Sequence, residues 1–218
     1  MKSNAVLILL VIVIFFDTIK STCRSFFNSN FVKSKIDGNT YSVVSSYDDQ
    51  QEAADIIAHI NQFAIDVIKN LKETYMRTEL KTPEQIKGFE VTNILEIKYS
   101  PKSLSENEPT SHKDTSYTQN KGEIISLCLR EKSSGKNNFH SLDIIKFVML
   151  HELAHIITPE IHHSDLFWTN FRFLLEFCER KGLYKSPDYG SKHEVYCGMT
   201  IRYNPIYDNF RTISYFNK

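Results

Sequence analysis

The most informative stretch of the sequence is HELAHIITPEIHH, residues 151 to 163, which holds four of the eight histidines of the chain. His151 and His155 are four residues apart, and on an α-helix this spacing puts both side chains on one face. Two neighbouring imidazoles can bind one metal ion, and zinc prefers nitrogen ligands in tetrahedral geometry. Because a catalytic zinc site has three protein ligands and an open fourth position, one more ligand is required.

Glu152 directly follows the first of these histidines and would point toward the open coordination position. A carboxylate there can accept the proton of zinc-activated water, which is the role of the glutamate in the H-E-x-x-H pattern of metalloproteases. The helix that carries the pattern is apolar on nearly every side and should be buried. Ionisable side chains are costly to bury unless they are paired or bind a metal, so this context favours a catalytic zinc site.

The spacing of the residues alone does not determine which side chain is the third zinc ligand. Pro159 ends the helix, and a short loop after it would return the chain toward the metal. This favours the histidine pair at 162 and 163. The full set of candidates is Glu160, His162, His163, Glu176, Glu179 and His193.

The longer stretch HELAHIITPEIHHSDLFWTNFRFLLEF resembles the zincin metallopeptidases of the WLM group and their SprT-like relatives. In that group a HELAH helix and a turn precede a third histidine, and an aromatic pair begins four positions beyond it. Phe167 and Trp168 match this pair, so the resemblance implies His163 as the third zinc ligand, in the pattern H-E-x-x-H-x7-H. The spacer before His163 is longer than in typical WLM members, which predicts a different turn.

The likeness covers about residues 123 to 182, and residues 196 to 199, Tyr-Cys-Gly-Met, also occur in WLM-like proteins of large DNA viruses. It implies a Zn²⁺-dependent metallopeptidase with Glu152 as general base. Residues 123–130, EIISLCLR, would form the strand along the substrate cleft, with an edge to which an extended peptide can pair. Zincins also place a donor near the developing oxyanion. Tyr196 is our candidate, and the others are His193, Arg202 and Tyr203.

Two other functions stay open from the sequence. One is a zinc-stabilised protein-binding module without catalysis, in which the fourth coordination position would be closed. Glu152 argues against it, because a structural zinc site needs no such carboxylate. The other is a zinc hydrolase that acts on something other than peptides, since zinc polarises any carbonyl group.

The hydrophobic pattern predicts further elements. Residues 52–76 carry apolar side chains at three-and-four spacing, which predicts a long amphipathic helix. Residues 89–99 alternate and are rich in β-branched and aromatic side chains, so they predict a strand, as do residues 123–130. The intervening residues 100–122 show no periodicity and predict a long loop.

Two helices are predicted in this region: one carries the H-E-x-x-H pattern, and the other follows it in the sequence. Ser141 is a candidate N-cap for the HELAH helix, which ends at Thr158, and Ser164 is a candidate N-cap for a second helix that ends at Gly182. Residues 183–218 are expected to form an irregular C-terminal segment that covers the surface of the domain, called here the C-terminal wrap. The predicted fold class is therefore α+β, a minimal zincin fold. A long N-terminal helix and a small mixed sheet would pack on the H-E-x-x-H helix, followed by a further helix and the wrap.

Residues 5–16 form an unbroken apolar run, which suits a signal-peptide core and is shorter than the roughly 20 residues that span a bilayer. We interpret residues 1–22 as a signal peptide or signal anchor, 23–48 as a linker and 49–218 as one zincin-like metallopeptidase domain. A buried element of the domain is the alternative for the apolar run. The expected location is the secretory pathway or a membrane.

The formal net charge is zero, so no basic field points to nucleic acid, and net charge identifies no partner. The resemblance to metallopeptidases implies a protein or peptide substrate, and residues 5–16 could associate with a membrane. The four cysteines, Cys23, Cys128, Cys178 and Cys197, are too widely spaced for a zinc-ribbon pattern. We expect each to be an unpaired, buried apolar residue. One disulfide among the last three is the alternative if the chain enters an oxidising compartment.

Overall fold

The computed structural model describes residues 28–77, 79–108, 115–131 and 138–216. These residues form an α+β fold, which confirms the predicted class. The predicted signal segment, residues 1–22, lies outside the described residues. The elements are β1 (Ser29–Lys33), β2 (Thr40–Val44), α1 (Gln50–Tyr75), α2 (Pro83–Lys98), β3 (Leu104–Glu106), β4 (Tyr117–Gln119), β5 (Ile124–Leu127), α3 (Leu142–Ile157), α4 (Asp165–Arg180), β6 (Glu194–Tyr196) and β7 (Met199–Ile201).

The main sheet is mixed and has the strand order β1-β2-β3-β5-β4. β2, β3 and β5 run parallel, whereas β1 and β4 are antiparallel to their neighbours. β1 and β2 form a hairpin that turns at Gly38, whose φ of 73° lies in the left-handed region that glycine adopts without strain. This hairpin falls in the segment interpreted as a linker, and its residues 29–33 and 40–44 are strands of the main sheet.

Residues 100–122, predicted as a loop, contribute two strands to the same sheet. β3 pairs in parallel with β5, and β4 pairs with β5 on its other side. β5 is therefore an inner strand, and the expectation that it offers a free edge is wrong. β4 is the edge strand next to β5, and β1 is the other edge strand of the sheet. Three-residue strands are too short to show a period-two pattern, so their pairing partners rather than their own sequence determine them.

The predicted strand at residues 89–99 is wrong, because this segment lies in helix α2. Thr82 accepts a hydrogen bond from the backbone of Gln85, whose side chain accepts one from the Thr82 backbone, and Pro83 occupies the first turn. This capping box starts a helix whose buried positions, 87, 88, 91, 92 and 95, have helical spacing. The local start signal thus outweighs the β-branched composition.

Gly88 in α2 lies against the ring of Tyr75 at the end of α1. A Cβ atom at Gly88 would be 2.4 Å from Cδ2 of Tyr75, well inside van der Waals contact. Gly88→Ala should therefore lower the free energy of unfolding by about 1–3 kcal/mol, the usual cost of overpacking. Chemical denaturation measures this. Tyr75→Leu opens space at the ring, so in that background the same alanine should cost less; an equal cost in both backgrounds contradicts the steric explanation.

Helix α3 is the centre of the fold and contacts α1, α2 and α4 as well as β4 and β5. Its N-cap is Ser141, whose side chain accepts a hydrogen bond from the backbone of Ile144, and its C-cap is Thr158, as predicted. Eleven of its residues are buried, so packing from several sides holds the helix rigidly. In the part of the chain that is described, no helix combines the length and the apolar character needed to cross a membrane.

Helix α4 packs on α3 and holds the C-terminal wrap. Its N-cap is Ser164, and Gly182, with a φ of 68°, follows its end as predicted. Arg172 is buried and donates hydrogen bonds to the side chain of Thr212 at 3.0 Å and to the backbone oxygen of Asp208 at 2.9 Å. The wrap is therefore fixed to α4. It contains the hairpin β6-β7, which the sequence did not predict.

Candidate metal centre

Three imidazoles meet between α3 and the loop that follows it. The Nε2 atom of His155 lies 3.2 Å from Nε2 of His151, and Nε2 of His163 lies 3.0 Å from the same atom. Within the described ranges, these three side chains form a group that could hold a metal, with ligand atoms all within 4.8 Å of one another. The fold thus brings together the three histidines that the sequence and its resemblance select.

The donor set fits a zinc ion. Zinc–imidazole bonds of about 2.0–2.1 Å in tetrahedral geometry put the ligand nitrogens roughly 3.3–3.4 Å apart. The two separations measured from Nε2 of His151, 3.2 and 3.0 Å, are close to this value. Burial lowers the pKa of His151 well below its ordinary value and lowers the pKa of His155 to about 4. Burial also lowers the pKa of His163. Neutral imidazoles keep the lone pair that a metal ligand needs.

The other candidates for the third ligand have different environments. Glu176 accepts a hydrogen bond from Nε of Arg172 at 2.9 Å, and Glu179 accepts one from the backbone of Ser186 at 2.9 Å. His193 is exposed and is not part of the three-histidine group. Glu176 and Glu179 therefore have hydrogen-bond partners on α4 and in the segment after it, and neither belongs to the three-histidine group.

The aromatic pair at the start of α4 supports the three histidines. The ring of Phe167 is fully buried and its centroid lies 4.9, 4.3 and 4.7 Å from the rings of His151, His155 and His163. Trp168 stacks on His163 with a centroid distance of 5.4 Å. The spacing between the third histidine and the aromatic pair therefore has a physical cause, because these rings restrict the orientations of the imidazoles.

Glu152 is buried on the cleft side of α3. Its Oε2 atom accepts a hydrogen bond of 2.7 Å from the hydroxyl of Thr118 in β4. Burial raises the pKa of Glu152 to about 7, and the Thr118 hydrogen bond opposes this rise by stabilising the carboxylate. A carboxyl group with such a pKa can both accept and release a proton near neutral pH. Thr118 was not among the predicted site residues, because it lies in the segment predicted as a loop.

Replacing Thr118 by Val should lower kcat about ten-fold and leave KM nearly unchanged. Valine keeps the shape and suits a strand, but the Glu152 carboxylate loses its oriented donor. A hydrogen bond to a charged group is worth about 1.5–3 kcal/mol, and the lower value corresponds to about a factor of ten in rate. Steady-state kinetics on a peptide substrate would measure both constants. Thr118→Ser should restore kcat, and an unchanged kcat in the valine variant would remove Thr118 from the mechanism.

Tyr196, the candidate oxyanion donor, ends β6 and lines the same cleft as Glu152. Its hydroxyl lies 2.7 Å from Oγ of Ser116, next to β4. Burial raises the pKa of Tyr196, the Ser116 hydrogen bond lowers it, and the Glu152 charge raises it, with a net increase, so the hydroxyl stays protonated. Buried His140 packs its ring 4.8 Å from that of Tyr196, and its Nε2 accepts a 3.0 Å hydrogen bond from the backbone of Cys197.

A disulfide between Cys128 and Cys197 joins the end of β5 to the hairpin β6-β7. The expectation of unpaired cysteines is therefore wrong for these two residues, while Cys178 is free and buried as expected. Cys23 lies outside the described residues. The partners are 69 positions apart in the sequence, so only the fold brings them together.

The three histidines lie at an open cleft of about 840 Å³. One side consists of residues 115–121, which include the edge strand β4, and another side includes the loop 160–163. Apolar side chains such as Phe147 and Met199 line it further, as do Arg202 and Tyr203 among the candidate donors. Such a mostly apolar cleft with a few convergent polar groups is typical of a ligand or active site.

The chain is similar to several known proteins. The chain is 33% identical over 197 residues to an uncharacterized protein of Acanthamoeba polyphaga mimivirus, covering 90% of this chain and 92% of that protein. An uncharacterized protein of Invertebrate iridescent virus 6 is 39% identical over 69 residues, which are 32% of this chain and 38% of that protein. A crystal structure of a mutant Wss1 from Saccharomyces cerevisiae matches with a TM-score of 0.41 and 20% identity, over 65% of this chain and 92% of that one.

The sequence model of the WLM domain matches residues 84–204. This range includes helices α2, α3 and α4, the three histidines and the hairpin with Tyr196. It extends beyond the residues on which the motif resemblance depends. The chain therefore belongs to the WLM domain family, a zinc-dependent family of the metallopeptidase type.

Proposed function

We propose that this protein is a zinc-dependent metallopeptidase in which His151, His155 and His163 hold the metal and Glu152 is the general base. The observation that supports this most strongly is the placement of three neutral imidazoles and one buried carboxylate at the same open cleft. Zinc bound there would polarise the scissile carbonyl group and increase the acidity of water. The carboxylate of Glu152 would accept a proton from the attacking water and later give it to the leaving amine.

The remaining polar groups of the cleft would orient these reactants. Thr118 holds one oxygen of Glu152, which leaves the other available for water. The hydroxyl of Tyr196 remains protonated because it is buried, so it can donate a hydrogen bond to the developing oxyanion. Ser116 fixes the position of that hydroxyl.

Tyr196→Phe should lower kcat about 10²-fold, which is the lower end of the range of effects seen when an enzyme loses one oxyanion donor. The substitution removes only the hydroxyl and keeps the ring contact with His140. Since the donor would act in the transition state, KM for a peptide should change little. Kinetic analysis of the purified variant, together with its zinc content, measures this effect. Tyr203→Phe is the matched control, because Tyr203 lines the cleft with its hydroxyl hydrogen-bonded to Asp208. Equal losses in both variants argue against a specific donor role for Tyr196.

The proposed substrate is an extended polypeptide segment. β4 is an edge strand of the sheet and runs along the cleft, so its outer backbone groups can pair with a peptide in extended form. The apolar walls favour peptides with bulky apolar side chains near the cleaved bond. A folded domain would not present such a segment.

The experiment is metal analysis of the purified protein combined with digestion of an unfolded polypeptide, with and without a chelator. We expect one zinc per chain and cleavage that stops when the metal is removed and returns with zinc. Bound zinc without cleavage would favour the non-catalytic module. Hydrolysis of small esters but not of peptides would favour a non-peptidase hydrolase. A lack of metal binding would refute the proposal.

A further inference from the structure

The turn between β4 and β5 packs against the end of helix α3, close to the metal centre. Asn120, Lys121 and Gly122 all have positive φ values, 49°, 56° and 109°. At Gly122 a Cβ atom would lie 3.1 Å from the side chain of Ile156 in the last turn of α3. Non-glycine residues rarely adopt this conformation, so the surrounding structure must stabilise the turn.

The side chain of Lys121 connects this turn to the segment that leads to the third histidine. Its Nζ atom donates hydrogen bonds to the backbone oxygens of Thr158 at 2.5 Å and Glu160 at 2.7 Å, and lies 3.4 Å from that of His155. An ammonium group has three protons, so it can serve all three acceptors. These carbonyls include helix-end groups that lack partners within α3, where a positive charge is also favourable.

The segment held in this way has no regular structure of its own. It runs from Thr158 to His163, and His162 within it has a φ of 75°, which is unusual for a residue with a side chain. At its far end, Ser164 donates a hydrogen bond to Glu160 and caps α4. A seven-residue spacer between two metal ligands has many alternative conformations, so a fixed third ligand requires contacts from outside the spacer.

We infer that Lys121 is a positioning residue for the metal centre: its ammonium group fixes the end of α3 and the following loop so that His163 meets His151 and His155. It acts through the backbone oxygens that it binds and is not one of the three ligand residues. The inference rests on the proposed metal site and adds to it the residue that sets the distance between the second and third ligands. Groups that orient metal ligands typically change metal affinity by about 10- to 100-fold when they are removed.

The test compares metal binding by the full-length wild type with that of Lys121→Met and Lys98→Met. Lys98 is exposed at the end of α2, and its charge acts on the Lys121 ammonium, so its replacement controls for loss of a nearby positive charge. We expect Lys121→Met to weaken zinc binding about 10- to 100-fold in a chelator competition assay, and Lys98→Met to bind as the wild type does. Co²⁺ in place of zinc gives a visible spectrum that reports the ligands. The spectrum of Lys121→Met should shift toward that of His163→Ala, which a general loss of stability would not cause.

Circular dichroism of the metal-free proteins shows whether Lys121→Met folds. If it does not fold, Lys121→Gln removes the charge and shortens the reach but keeps an amide donor, and it should also weaken zinc binding. Wild-type affinity and an unchanged Co²⁺ spectrum in a folded Lys121 variant overturn the inference while leaving the proposed function intact. Absence of zinc and Co²⁺ binding by the wild type refutes the metal site itself, which is a different outcome.

Discussion

Replacing Glu152 by Gln is expected to lower peptide hydrolysis by about 10²- to 10⁴-fold, the contribution of a positioned general base. Glutamine has nearly the same shape, so α3 and its buried surroundings should be retained. The Thr118 hydroxyl can still donate to the amide oxygen. The uncharged amide cannot accept a proton from water, and this is the only function removed. Zinc content should stay at the wild-type level because the three histidines are unchanged.

Glu160→Gln is the matched control for this prediction. Glu160 lines the same cleft, but its carboxylate accepts a hydrogen bond from Ser164, which a glutamine oxygen can also accept. This variant should keep the wild-type kcat. Hydrolysis at the wild-type rate by Glu152→Gln would refute the general-base mechanism. Loss of zinc from that variant would show that Glu152 contributes to metal binding.

Removal of the disulfide in a Cys128→Ala, Cys197→Ala double variant is expected to lower the free energy of unfolding by about 4 kcal/mol. The bond closes a loop between positions separated by 69 in the sequence, and in the chain-entropy view a long closed loop restricts the unfolded chain strongly. Urea denaturation of both proteins measures the difference. Cys178→Ala is the control, since it removes a buried sulfur without opening any loop; its smaller cost should be that of a small cavity.

The same double variant should also lose activity because Cys197 directly follows Tyr196. Without the disulfide, this end of the hairpin β6-β7 would keep only noncovalent contacts, among them the hydrogen bonds of Cys197 with His140 and of Tyr196 with Ser116. We therefore expect a reduced kcat with unchanged zinc content. In the double-variant background, Tyr196→Phe should cause little further loss, because residues that act through one another are not additive. A full additional loss would show that the disulfide does not position Tyr196.

The sequence was most informative where structure and chemistry are local. The four-residue spacing of His151 and His155 needs only a helix to place both imidazoles together, and the caps at Ser141 and Ser164 lie directly beside the helices that they start. The prediction failed at α2, because it used the β-branched composition of residues 89–99 and not the capping box of Thr82 and Gln85 that starts the helix. That signal was present and local, so the error was one of interpretation.

His163 is an intermediate case. The residues alone left several candidates, and the resemblance selected one of them through the spacing to the aromatic pair. The structure supplies the reason, because Phe167 contacts all three imidazoles and Trp168 stacks on the third. A local pattern thus carried information about packing between helices.

The α+β class, the two helices around the metal pattern, and the proposed ligands and general base were predicted from local spacing and from resemblance. The tertiary structure alone decided the strands β3 and β4 and the disulfide. It also decided the hydrogen-bond partners of Glu152 and Tyr196 and the hydrogen bonds that Lys121 donates. Thr118 and Glu152 are 34 positions apart, as are Lys121 and His155. Contacts of this kind leave no periodic trace in the sequence, because they depend on how α3 lies against the sheet edge and not on the conformation of either segment.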